Sequence, residues 1–170
     1  MVTQTPQFKR GSDVEQWLDH FFSEKGFHIQ NTTPHEERVL CLGDRWFTSP
    51  RGQRFSVEYK SGIQTFYTGN VFLETISVDM SNKPGWVYTC QADRILYAAL
   101  LNGKILVFLP PALRAGIEQL KEQFPEVSTS HGQNRYRTWG VLVPLDYAED
   151  QLAQRTIKCS LNGKGTLSIG

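Results

Sequence analysis

The sequence predicts an α/β protein with a mixed central sheet flanked by helices. Three observations lead there. One amphipathic helical pattern opens the chain and another follows Pro110-Pro111. Short apolar runs with the alternation of strands lie between them. Helices and strands interleave along the chain instead of segregating, the order expected of layered α/β folds.

The elements follow in order. Ser12 opens a helix, with Glu15 three residues later as capping-box partner. Val14, Trp17, Leu18, Phe21 and Phe22 recur at helical spacing, and Gly26 closes the helix. Residues 27–30 read as a short strand, 31–38 as a polar loop, and 39–42 as a second strand ended by Gly43-Asp44. Ser49-Pro50-Arg51-Gly52 is a turn signal. Residues 55–60 then alternate strictly: Phe55, Val57 and Tyr59 on one face, Ser56, Glu58 and Lys60 on the other. Residues 71–76 form an apolar strand carrying one acid, Glu74. The pattern from about 89 to 101 is helical, with Cys90, Ile95, Leu96 and Ala99 as its buried stripe and Asn102-Gly103 as its stop. A strand at 104–109, a helix at 112–124, a polar stretch at 127–137, a strand at 141–145 and a helical turn at 146–153 complete the body. The tail is read as two strands around Asn162-Gly163, a hairpin signal.

With 170 residues and no linker or low-complexity segment, the chain is expected to be a single domain over 1–170. Hydrophobic residues at 39% and charged residues at 21% exclude a disordered chain. No apolar run approaches the roughly 18–20 residues that span a bilayer. The N-terminus has no signal-peptide core, which points to the cytoplasm. Cys41, Cys90 and Cys159 are odd in number, form no CxxC pair and are expected as reduced thiols. A net charge of +1 argues against a broadly basic nucleic-acid binder but leaves room for a basic groove beside an acidic site. No nucleotide-binding, GxSxG or HExxH motif is present, so no nucleotide cofactor is expected.

The strongest chemical signal is Asp44, followed fourteen residues later by Glu58-Tyr59-Lys60. Glu58 and Lys60 are two apart on a strand and point the same way. Asp44 at the end of the neighbouring strand would bring a second carboxylate beside Glu58. Two close carboxylates repel, and a divalent cation relieves the repulsion. Hard oxygen donors suit Mg²⁺ or Mn²⁺, which can hold a phosphate oxygen and acidify water. A neighbouring ammonium can stabilise the charge that develops on phosphorus. By itself, Glu beside Lys on a strand is also what an exposed ion pair looks like.

On these residues the chain resembles the PD-(D/E)xK nuclease superfamily, with Asp44 and the ExK run Glu58-Tyr59-Lys60. The stretch Thr68-Gly69-Asn70-Val71-Phe72-Leu73-Glu74, then Pro84-Gly85-Trp86 and Ala92-Asp93, is similar to a phage or bacterial branch of it. The resemblance covers about 12–110, leaving 111–170 as C-terminal additions. It departs in having Gly43 before Asp44 where proline is common, and in lacking the Gln-x-x-x-Tyr motif of RecB-like members. It implies a restriction-endonuclease-like fold and a metal-dependent DNA endonuclease. Asp44, Glu58 and the Tyr59 backbone carbonyl would be metal ligands and Lys60 the catalytic lysine, with DNA as partner and a homodimer able to cut two strands. Glu15 reads equally as an outer ligand and as a capping residue. Glu74 reads equally as part of the site and as partner to a base such as Arg94. Arg51 and Arg54, in the turn before Glu58, and Arg135 and Arg137, in the His131–Arg137 run, are candidate DNA contacts, as is Lys9-Arg10. The rival expectation is a non-catalytic domain of the same fold that binds DNA or a protein partner.

Overall fold

The computed structural model describes residues 11–130 and 132–161. Lys9-Arg10, His131 and the hairpin expected around Asn162-Gly163 lie outside them. The opening helix α1 (Gly11–Glu24) buries Val14, Leu18, Phe21 and Phe22, a single stripe at helical spacing. Three strands follow, β1 (His28–Asn31), β2 (Arg45–Thr48) and β3 (Arg54–Ser61), with the one-turn helix α2 (Pro34–Arg38) between the first two. After α3 (Thr65–Thr68) come β4 (Asn70–Val78), β5 (Lys83–Pro84), α4 (Trp86–Thr89), β6 (Arg94–Ala99) and β7 (Lys104–Phe108). The long helix α5 (Pro110–Gln123) precedes β8 (Glu126–Ser130), β9 (Arg137–Pro144), α6 (Leu145–Tyr147) and β10 (Arg155–Lys158).

The strands form two sheets where the sequence suggested one. The larger is mixed, in the order β1-β2-β3-β6-β7-β10, with β3 and β6 its parallel pair. The smaller is antiparallel, in the order β5-β4-β9-β8. The larger sheet has a core on each face. On one, Phe47, Val57, Tyr59, Leu96 and Ile105 meet α1. On the other, Ile95, Tyr97, Leu106 and Phe108 meet α5 and the inward face of the smaller sheet, Val71, Leu73, Val141 and Val143.

That double burial explains the largest departure from expectation. Residues 94–99 form strand β6, not the middle of a helix. Odd residues enter one core and even residues the other, so every position from Ile95 to Ala99 is buried and no period survives in the sequence. Residues 39–42 are not a strand but a loop, with Val39 65% and Leu40 45% exposed. The polar stretch 127–137 supplies most of β8 and the start of β9. An edge strand rich in Ser and Thr needs only one apolar side. Residues 111–161 are not additions either. Leu113, Ile117, Leu120, Val141, Val143 and Ala148 sit in the second core. The three cysteines are free thiols. No helix of the described residues is long and apolar enough to cross a membrane.

Candidate active site

The site is built around the exit of β3. Strand β2 pairs antiparallel with β3 from Thr48↔Arg54 only as far as Arg45↔Val57. Past Val57, the edge of β3 that faces away from β6 has no strand beside it among the described residues. Asp44 occupies that place. Its N–H donates to the Val57 carbonyl at 2.8 Å, and its Oδ2 accepts the Tyr59 N–H at 2.7 Å. The Tyr59 carbonyl, on the same edge as its N–H, points to the same vacated side.

Gly43 makes this approach possible. It has φ +89°, and a Cβ there would lie 2.6 Å from the Val57 carbonyl oxygen. Proline, fixed near −65°, has no access to that conformation, so this loop cannot carry a proline before Asp44. The loop is tied down elsewhere: Thr32 Oγ1 donates to the Gly43 carbonyl at 2.7 Å, and the Gln91 N–H to the Cys41 carbonyl at 2.8 Å.

Alternation along β3 sends Val57 and Tyr59 into the α1 core and Glu58 and Lys60 to the opposite face. Lys60 Nζ pairs with Glu58 Oε1 at 2.7 Å and lies 5.6 Å from the centre of the Trp86 ring. Both charges are substantially buried, their side chains 27% and 18% exposed. Burial pushes the Glu58 carboxyl above its usual range, and the Asp44 and Glu37 carboxylates add to that against the pull of Lys60. Burial works against the Lys60 charge as well. The carboxylates of Glu58, Glu74 and Asp44 outweigh it and hold the ammonium above its usual range.

Glu74 therefore belongs to the neighbourhood of Lys60. Its Oε1 accepts the Trp86 N–H at 3.3 Å, and Gly85 packs so closely on it that a Cβ would stand 2.8 Å from Glu74 Cγ. Arg94 lies on the α1 side of the sheet, beside Phe22, Phe47 and Phe55, and its Nη1 donates to the Asp93 carbonyl at 2.8 Å. Glu15 does not reach the site. It lies on the α1 side of the sheet, where Arg45 pairs with it at 3.3 Å and with Asp19 at 3.1 Å. Arg45 Nη1 also donates to the Asp44 carbonyl at 3.1 Å, so Glu15 acts on the site only by holding the arginine that braces Asp44. Nor is Glu15 a capping residue in the way expected, because Ser12 is already inside α1.

Glu37 is the acid that sequence reasoning missed. It lies on α2, which begins with a capping box: Thr33 Oγ1 accepts the Glu36 N–H, Glu36 Oε1 accepts the Thr33 N–H, and Pro34 follows. Thr-Pro-His-Glu is a recognisable helix start, and it was the available signal. The Trp46 Nε1–H donates to Glu36 Oε2 at 2.7 Å, docking α2 on the face of the sheet that carries Glu58.

Of the basic candidates, Arg51 is exposed in the β2–β3 turn. Arg54 stacks over Trp46 at 4.0 Å, four residues and so about 13 Å along the strand from Glu58. Arg135 is exposed between β8 and β9, and Arg137 donates its Nε–H to Ser128 Oγ at 2.7 Å. A cleft of about 620 Å³ runs from Lys60 and Glu74 past Phe72, Trp86 and Leu142 to Thr129 and Ser130.

Among the described residues no three His, Cys, Asp or Glu side chains converge into a ready-made metal cage. Mg²⁺ does not need one: it takes one or two carboxylates and fills its shell with water and substrate oxygens. Asp44 uses Oδ2 and Glu58 uses Oε1 in the contacts above, so each keeps a second oxygen. Acids outnumber bases in a partly buried space. That donor set fits Mg²⁺ or Mn²⁺ and does not fit zinc. No family model, curated protein or solved structure matches the chain.

Proposed function

We propose that this chain is a metal-dependent DNA endonuclease of the PD-(D/E)xK type, with a restriction-endonuclease-like fold and a cytoplasmic setting. The observation that carries the reading is the meeting of Asp44, Glu58 and Lys60 at the open exit of β3, Asp44 held by the Tyr59 N–H and Lys60 by Glu58, each at 2.7 Å. A mixed six-stranded sheet flanked by helices is compatible with that fold.

Asp44 and Glu58 would hold Mg²⁺ or Mn²⁺, with the Tyr59 carbonyl as third donor. Once bound, the cation supplies Lewis acidity toward a phosphodiester oxygen. The chain's own residues do the rest. Lys60, beside Glu58, would offset the negative charge that builds on phosphorus. Glu74, after Glu58, adds a negative charge that favours the ammonium form of Lys60. A homodimer would place two such sites on the two strands of a duplex.

One observation favours the second reading, a non-catalytic domain that binds DNA or a protein partner: Lys60 already compensates Glu58 without any cation. Plasmid nicking with Mg²⁺ and Mn²⁺, beside calorimetric Mn²⁺ titration, separates the two. Lys60→Ala is expected to lose at least about a hundredfold in cleavage while binding Mn²⁺ within a few-fold of wild type. Asp44→Asn is expected to lose both, because a carboxamide retains the Tyr59 hydrogen bond but not the charge. Unchanged nicking by Lys60→Ala would sink the mechanism. Absence of wild-type cleavage on linear, supercoiled, branched and single-stranded DNA would favour the second reading.

A further inference from the structure

We infer that the cleft beside Lys60 is a stacking site for an unpaired DNA base, which makes single-stranded or locally opened DNA the substrate class. The inference rests on the nuclease reading of the same site. Its starting point is the outward face of the smaller sheet. Alternation along β4 sends Val71 and Leu73 into the core, while Asn70, Phe72 and Glu74 line the cleft. Across the ladder Phe72 is paired with Leu142 and Glu74 with Gly140.

Gly140 is the informative position. A Cβ there would lie 2.5 Å from Cζ and 2.7 Å from Cε2 of Phe72. The far edge of the ring therefore rests on the β9 backbone, and the ring leans along the sheet instead of standing off it. A side chain normally stands roughly perpendicular to its sheet. Phe72 is only partly buried, so part of its ring is open to the cleft that it lines. Trp86 adds a second aromatic wall, and Asn70, Gln64 and Thr129 put amide and hydroxyl groups on the rim.

This is the chemistry that takes up a nucleobase: an aromatic face for stacking, with edge hydrogen bonds around it. A paired base in a duplex has both faces covered by its neighbours and gains nothing from such a platform. The volume of about 620 Å³ lies within the roughly 300–1,000 Å³ of small-ligand sites, suited to one or two nucleotides. Lys60 puts a cation at one end of the cleft, and Thr129 and Ser130 line the other. A backbone crossing the cleft would run from the reacting centre toward Thr129 and Ser130, with its base turned down onto Phe72.

Fluorescence anisotropy in Ca²⁺, with oligonucleotide integrity checked on a gel, tests this with a short single strand and its matched duplex. The expected result is single-strand binding at least tenfold tighter than duplex binding. Phe72→Leu should lose about tenfold for the single strand only, and Phe72→Tyr should restore it. A 2-aminopurine base in the strand should be quenched on binding the wild type, a measurement that needs no variant and holds even where Phe72→Leu unfolds. Equal affinity for both DNA forms, or no quenching, would overturn the inference. Efficient Mn²⁺-dependent duplex cleavage without any Phe72 effect would remove this inference and leave the nuclease reading standing. Quenched, Phe72-dependent binding without cleavage in Mn²⁺ would remove the nuclease reading instead.

Discussion

At the scale of single residues, the site depends on one glycine as much as on its charged groups. Asp44 reaches the Tyr59 N–H because Gly43 lies against the Val57–Glu58 peptide with φ +89°. Gly43→Ala meets two costs, a strained conformation for an L residue and a Cβ 2.6 Å from a backbone oxygen that has no rotamer to yield. The expected loss is about 2 kcal/mol or more of unfolding free energy, read from urea denaturation, with loss of Mn²⁺ binding as Asp44 is displaced. Full stability with unaltered Mn²⁺ affinity would show that the loop tolerates the side chain and that Gly43 is incidental. The Glu58–Lys60 pair was readable from the sequence because strand alternation alone puts both on one face, whereas Asp44 was expected at the end of a strand over 39–42 that is a loop. Glu37 was not readable, because its effect on Glu58 arises only when α2 lies over β3, and nothing in the spacing of residues 37 and 58 encodes that.

At the scale of elements, what could be read depended on whether one face of an element stays wet. Helix α1 and strand β3 each have a core side and a less buried side, so their periods of 3.6 and 2 survive in the residue pattern. Strand β6 has core on both sides and was mistaken for helix. Helix α2 is only five residues long, with no buried side chain, and therefore leaves no stripe. Its existence rests on the Thr33–Glu36 box and the Trp46–Glu36 hydrogen bond. Thr33→Ala removes the side-chain acceptor for the Glu36 N–H, a change worth about 1 kcal/mol. The expected outcome is a small fall in melting temperature together with faster amide exchange confined to residues 34–42. Exchange unchanged in that segment would mean that Trp46, not the cap, holds α2. The same segment leads directly into Gly43 and Asp44, so loosening it is expected to reach the site.

At the scale of the whole molecule, the two sheets share one interior, and the residues past 110 close it. The proposed nuclease motifs lie within residues 12–110, yet the second core takes Leu113, Ile117 and Leu120 from α5 and Val141 and Val143 from β9. Strand β10 pairs with β7 from Arg155↔Val107 to Lys158↔Lys104, and Lys104 Nζ meets Glu149 Oε2 at 2.6 Å. A chain ending at Leu109 would expose Phe108, Leu106, Ile95 and the inward face of β4 together. It would also leave β4 without β9 and β7 as an unpaired edge, a template for aggregation. The sequence could not show this dependence, because a motif marks where chemistry is held and says nothing about which distant segments cover the core beneath it. A protein comprising residues 1–109 is therefore expected not to fold cooperatively: near-ultraviolet circular dichroism should lack fixed aromatic signals, and thermal unfolding should show no sharp transition. A soluble 1–109 protein with a cooperative melt and intact Mn²⁺ binding would show that the site is carried by β2, β3 and their loop alone, and that the second sheet, with its cleft, is a separable attachment.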